Sequence, residues 1–158
     1  MAIVDVRIDD RLVHGQVCSY WVPHFSVDRI VVVDDLVAQD EMRKSVLRLA
    51  CPDRCKLSIF SAEKAADKFS RNIDRGIKVL ILCNRPRPIA QMADAGFQVE
   101  YVTVGNISSR EGSRQIASTA YATPEEWEDF RELARRGVKI FDQMVPTNPR
   151  VDITGKFD

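Results

Sequence analysis

The chain carries no excess of either charge, no glycine-rich nucleotide motif, few histidines and no apolar stretch long enough to span a bilayer. Lys plus Arg and Asp plus Glu both number 23, so the formal net charge is zero. A protein that neutralises a phosphate backbone needs a surplus of cations, so nucleic acid is not the expected partner. Neither Gly-x-Gly-x-x-Gly nor Gly-Lys-Ser/Thr occurs, which leaves a bound nucleotide, or any other cofactor, without support. No apolar run approaches the about 20 residues of a membrane span. The start, Met1-Ala2-Ile3-Val4-Asp5, meets an acid too early for a secretory signal. A cytoplasmic location is therefore expected. Cys18, Cys51, Cys55 and Cys83 follow no disulfide framework. Three residues separate Cys51 from Cys55, and with only 2 histidines the reading is free thiols and no metal.

What is present is the material of one ordinary globular domain. The 158 residues are 45% hydrophobic and 29% charged, enough for a core within a single domain over 1–158. Runs rich in Val, Ile and Leu predict strands at Ile3–Ile8, Arg29–Val33, Lys56–Phe60, Lys78–Cys83, Tyr101–Val104 and Val138–Phe141. Several are almost continuously apolar, as in strands buried on both faces of a parallel sheet.

Helical patterns fall between them. Gln39–Ala50 places Met42, Val46, Leu47 and Leu49 at spacings near three and four, with charges elsewhere. Ala62–Ser70 and Pro88–Ala95 are shorter helices, the second ending at Gly96. The plainest helix is Pro124–Arg136, with Thr123 as N-cap, Pro124 at N1 and Glu126 completing a capping box. The tail beyond Val145 is expected to be irregular. The fold class is α/β: an open, mostly parallel, twisted sheet of about six to seven strands with helices on both faces.

The first strand leads into Arg7-Ile8-Asp9-Asp10-Arg11-Leu12-Val13-His14-Gly15-Gln16-Val17, followed by an apolar helical segment to Val22. In open α/β sheets, ligands gather outside the carboxyl ends of strands and at helix N-termini. Neutral imidazole is nucleophilic near neutral pH, so His14 can carry a phosphoryl group on one ring nitrogen while the other is held by a hydrogen bond. Arg11 presents a planar fork that matches phosphate oxygens. The backbone N–H groups of Gly15 and Gln16 lie where a helix start favours an anion. Gly15 leaves His14 open to a protein partner. Asp9 or Asp10 can orient Arg11 or cap the loop. A structural, hydrogen-bonded His14 is an equally good reading of these residues alone. His24, after Pro23, reads as structural or solvent-facing.

Two further segments can border the site. Asp34-Asp35 ends a strand, and its acids can equally cap the next helix. Gly105-Asn106, followed by Ser108-Ser109, can place a loop on the same edge, or can simply be a turn.

The stretch from Arg7 to Val17 closely resembles the active-site segment of IIB components of the bacterial sugar phosphotransferase system (PTS), mannose/fructose/sorbose family. The likeness extends through Trp21, Ile30–Asp35 with Ala38, Val104-Gly105-Asn106, Thr123–Glu126, and Gly137 ahead of Val145-Pro146. Thr103 departs from the asparagine more usual there, so a side-chain role at that position does not carry over. The resemblance implies a cytosolic α/β phosphocarrier. It would accept a phosphoryl group from phospho-IIA on His14, at Nδ1, with Arg11 stabilising the phosphate. It would then pass the group to a sugar held by the membrane components IIC and IID. Mannose, fructose, sorbose and amino sugars all fit, and a homodimer is open.

Two other classes stand beside it. A histidine phosphatase or mutase uses Arg-His-Gly, but here Val13 precedes His14 and only His24 is left as a second histidine. A non-catalytic, flavodoxin-like regulatory or binding domain would make His14 structural.

Overall fold

The computed structural model describes residues 2–158. Seven strands form one sheet: β1 (Ile3–Asp9), β2 (Arg29–Val33), β3 (Lys56–Phe60), β4 (Val79–Cys83), β5 (Tyr101–Asn106), β8 (Lys139–Asp142) and β9 (Val151–Asp152). A separate hairpin pairs β6 (Arg114–Ala117) with β7 (Ala120–Ala122). The sheet order is β3-β2-β4-β1-β5-β8-β9, and every neighbouring pair is parallel except β8 with β9.

Side-chain composition explains which strands lie where. β2 and β4 are apolar on both sides, and they feed two cores. Val31, Val33, Val79, Ile81 and Cys83 face one; Ile30, Val32, Leu80 and Leu82 face the other. The first core is covered by α4 (Ala62–Ser70), α5 (Arg87–Asp94) and α6 (Pro124–Arg135). The second lies beneath a π-helical turn (Val17–Trp21), α1 (Val22–Phe25), α2 (Asp35–Ala38) and α3 (Glu41–Ala50). Helices thus cover both faces, as expected.

β1 is different. With a period of two, Val6 and Ile8 enter the first core, while the alternate residues Asp5, Arg7 and Asp9 are buried and polar. The neighbouring strand matches it: Val102 and Val104 enter the first core, leaving buried Thr103 and Gly105 in the alternate positions. On both sides of β1 the neighbouring strands lead to helices of the first core, whereas β1 leads to the second. That reversal leaves the carboxyl end of β1 at a crevice in the sheet.

Two sequence expectations change. The tail is ordered: β9 pairs antiparallel with β8, and a 3-10 turn (Thr154–Phe157) buries Phe157 completely. Its ring stacks on Phe130 at 4.9 Å and tilts against Trp127 at 4.7 Å. The apolar stripe of α3 does not face the core. Only Leu47 is buried, and Met42, Val46 and Leu49 point outward.

Candidate active site

The loop after β1 is built on Asp9. Its carboxylate accepts from the Arg11 backbone N–H at 3.0 Å and from Arg11 Nε at 3.2 Å. His14 Nε2 lies 2.9 Å from the other carboxylate oxygen. Burial pulls the Asp9 pKa up, but hydrogen bonds from His14 and Arg11 outweigh it and leave it below its ordinary 3.8. An ionised Asp9 accepts a hydrogen bond from Nε2–H. That fixes the tautomer in which Nδ1 keeps its lone pair. The Gln16 backbone N–H points at Nδ1 from 3.2 Å.

Backbone strain shapes the same turn. Leu12 sits at φ 59, a left-handed conformation unusual for a bulky residue, and its fully buried side chain anchors it there. The strained residue holds the following segment so that His14, partly exposed, stands at the rim while Val13 goes into the core.

Each sequence-predicted residue has a definite place. Arg11 is 43% exposed and extends along the loop to donate to Gln16 Oε1 at 2.9 Å. Gly15 is exposed, and a Cβ built on it meets nothing within 4 Å. Asp10 ties the loop to its neighbour: its carboxylate accepts from Asn106 Nδ2 at 2.9 Å and from the Ser108 N–H at 2.7 Å. Asn106 therefore borders the loop. Asp34 does not: it is the N-cap of α2, accepting from the Val37 N–H at 3.0 Å, and its strand lies two positions from β1. Asp35 accepts from the Ala62 N–H at 2.9 Å. His24 packs edge-on against Trp21 and Phe25.

Arg7 was legible only as the first letter of a motif, yet it organises the floor beneath the loop. It is 1% exposed, with its guanidinium 4.1 Å from the Trp21 ring. Nη2 donates to the Gln143 and Met144 carbonyls at 2.5 and 2.7 Å, and Trp21 Nε1 donates to the same Met144 carbonyl at 3.1 Å. Burial lowers the guanidinium pKa to about 10 against the opposing pull of Asp5 and Asp9. Asp5 itself is raised by burial, although Arg7 and a hydrogen bond from Thr103 at 2.9 Å oppose that. Gly105 is needed for this arrangement, since a Cβ there would lie 2.7 Å from Arg7 Nη2. Asn84, in the position after the Ile8–Cys83 pairing, is buried with its Oδ1 unpartnered. A polar residue directly after the all-apolar β4 was its only signal.

Among the described residues no cluster of three or more His, Cys, Asp or Glu could hold a metal ion, and all four cysteines are free. No helix is long and apolar enough to cross a membrane.

Comparison with known proteins identifies the family. Residues 3–157 match the model of the PTS system sorbose subfamily IIB component. The chain is 33% identical to the sorbose-specific EIIB component of Lacticaseibacillus casei, covering 100% of this chain and 96% of that protein. It is 34% identical to the fructose-specific EIIB component of Bacillus subtilis, covering 96% of this chain and 93% of that protein. Among solved structures, the IIBSor domain of the sorbose permease from Klebsiella pneumoniae superposes with a TM-score of 0.90 at 33% identity, covering 99% and 96% of the two chains. The family model and these relatives are matched over nearly the whole chain, and this chain belongs to the sorbose subfamily of phosphotransferase-system IIB components.

Proposed function

We propose that this chain is a phosphocarrier that accepts a phosphoryl group on His14 Nδ1 from a phosphohistidine of a IIA component and delivers it to the sugar held by IIC and IID. The observation that carries the reading is the pairing of His14 Nε2 with the carboxylate of Asp9 at 2.9 Å. With Nε2–H donated to Asp9, Nδ1 is the nucleophile. In the first step the donor N–P bond breaks as the Nδ1–P bond forms. In the second, a sugar hydroxyl oxygen attacks phosphorus, the Nδ1–P bond breaks and the hydroxyl proton is released. The imidazolium that exists while both ring nitrogens are substituted is stabilised by Asp9.

Phosphoryl transfer depends on positioning and on donors directed at the equatorial oxygens. The Gln16 N–H already faces Nδ1, and Arg11, flexible and partly exposed, can swing from Gln16 Oε1 onto the phosphoryl group. Exposure of Gly15 leaves room for another protein's reacting atom to approach. The chain works at the cytoplasmic face, meeting the membrane components without spanning the bilayer itself. The regulatory-domain alternative is not favoured by family membership, and neither is the phosphatase.

The test is direct. With phospho-IIA and labelled phosphoenolpyruvate, the wild type takes up label in an acid-labile, base-stable bond, and His14→Ala takes up none. Label that persists in His14→Ala overturns the assignment.

A further inference from the structure

Gln16 closes a ring of hydrogen bonds around the nucleophile. Asp9 Oδ2 accepts from His14 Nε2 at 2.9 Å. Arg11 lays one edge of its guanidinium on the same carboxylate, Nε at 3.2 Å and Nη2 at 3.3 Å. Nη2 also donates to Gln16 Oε1 at 2.9 Å, and the Gln16 backbone N–H returns to His14 Nδ1 at 3.2 Å. Both ring nitrogens are therefore engaged in the resting loop. At Nδ1 this matters, because the lone pair that accepts from Gln16 is the one that must attack phosphorus.

A guanidinium has two edges that can grip a pair of oxygens, Nε with Nη2 and Nη1 with Nη2. Asp9 holds the first edge of Arg11. A phosphoryl group can be gripped bidentately only by the second, and Gln16 Oε1 already stands at half of it. The amide oxygen thus occupies the place that a phosphoryl oxygen would take. Charge decides the exchange. A phosphoryl dianion draws the guanidinium more strongly than a neutral amide does. Once Arg11 leaves Gln16, the side-chain tether that helps to keep the Gln16 N–H on Nδ1 is gone, and that N–H can turn to a phosphoryl oxygen. Gln16 has room to shift, since the preceding Gly15 is exposed and nothing crowds its Cα.

We infer that the Gln16 side chain is a positioning group, a latch that keeps Arg11 parked and His14 Nδ1 covered until a phosphoryl group displaces it. The inference rests on the phosphocarrier reading above and adds a gate to it: the anionic group to be accepted is what uncovers the nucleophile. The bond from Arg11 to Gln16 exists before transfer and not after, so it opposes loading. Its removal therefore speeds acceptance. A residue that merely supported the loop would slow acceptance when removed, and this difference in sign separates the two roles.

Rapid-quench measurement of phosphoryl acceptance by the full chain from phospho-IIA tests this. Gln16→Met, of similar length but without the oxygen, loads about fivefold faster than wild type, the effect of losing one such ground-state hydrogen bond. Its KM for phospho-IIA is unchanged. Gln16→Asn, a methylene too short to reach Nη2, behaves in the same way. Gln16→Glu turns the hydrogen bond into an ion pair and loads about tenfold more slowly. In the Arg11→Ala background, Gln16→Met changes the rate by less than about twofold, because the latch acts through Arg11. Loading of Gln16→Met and Gln16→Asn at or below the wild-type rate overturns the proposal, as does an acceleration that persists without Arg11. In those outcomes the wild type still takes up label on His14. A wild type that takes up none overturns the phosphocarrier reading, and the latch with it.

Discussion

Gly105 and Arg7 occupy one another's space: the position of a Cβ on Gly105 lies 2.7 Å from Arg7 Nη2 and 3.1 Å from Cζ. The glycine is not there for a left-handed backbone but for the guanidinium beside it. Gly105→Ala forces Arg7 off the Gln143 and Met144 carbonyls. We expect a destabilisation of about 1–3 kcal/mol, the usual range for overpacking a tight site. A urea titration of the variant beside the wild type measures it. An unchanged midpoint would mean that Arg7 can be displaced without consequence.

Gly15 poses the opposite case. Nothing within 4 Å opposes a side chain there, so Gly15→Val should alter thermal stability by about 1 kcal/mol or less. Transfer from phospho-IIA should nevertheless fall sharply, because the added bulk stands where the donor histidine must approach. Stability intact with transfer lost is the expected result; transfer at the wild-type rate would remove the glycine from the docking surface.

Asp9→Asn leaves a neutral acceptor beside His14 and weakens the hold of Arg11 on the loop. Loss of orientation at a reacting atom costs about 100-fold in rate. Rapid-quench measurement of phosphoryl acceptance should show it, with the variant still folded. Arg11→Ala should slow transfer by a comparable factor, about 100-fold, because its charge meets the developing negative charge on phosphorus. Its stability should change little, since the side chain is 43% exposed.

Acid should unfold the protein partly through Glu126. Burial would raise this carboxyl, but the Arg110 guanidinium and the Thr123 N–H outweigh it and hold the pKa below its ordinary 4.5. A lowered pKa contributes stability that is present above the unfolded value and lost as pH falls through the folded one. Asp5 and Asp142, both raised by burial, have the opposite sign and weigh against the folded state at neutral pH. Glu126→Gln should therefore be less stable than wild type at neutral pH. The gap is about 1 kcal/mol, kept small because Arg110 is more than a third exposed. It should narrow below pH about 4. Chemical denaturation across that range tests the sign.

Phe157→Ala removes a fully buried ring stacked against Phe130. A loss of about 3–5 kcal/mol follows from the cavity it leaves, readable as a drop in the thermal midpoint.

The parallel sheet and its helices were legible because β4 is apolar throughout and β2 is apolar after Arg29, and because Thr123 and Glu126 spell out a helix start. The tail was not, since a two-residue strand and one 3-10 turn have no period to read. The stripe on α3 was visible as a stripe, but spacing alone does not say whether it faces the protein or the solvent. Around the loop, chemistry and spacing put His14, Arg11 and either Asp9 or Asp10 forward as candidates, but a structural His14 fitted those residues equally well until the family resemblance was weighed. Arg7 escaped that reading because its role comes from carbonyls 136 and 137 residues away, a distance no local pattern spans. Asp34 shows the reverse: its place at a strand end suggested a site edge, and its side chain is used up as a cap.

The long reach of Arg7 also governs when the molecule can finish folding during synthesis. A ribosome releases β1 and the His14 loop early, but the carbonyls that seat the Arg7 guanidinium, and the one that receives the Trp21 indole N–H, belong to Gln143 and Met144 near the end of the chain. Until that segment emerges, the cation beneath the loop lacks both carbonyls and has only carboxylates such as Asp5, 3.9 Å away, beside it. A nascent chain arrested before Gln143 would therefore leave the Arg7 guanidinium and the Trp21 indole N–H without these acceptors.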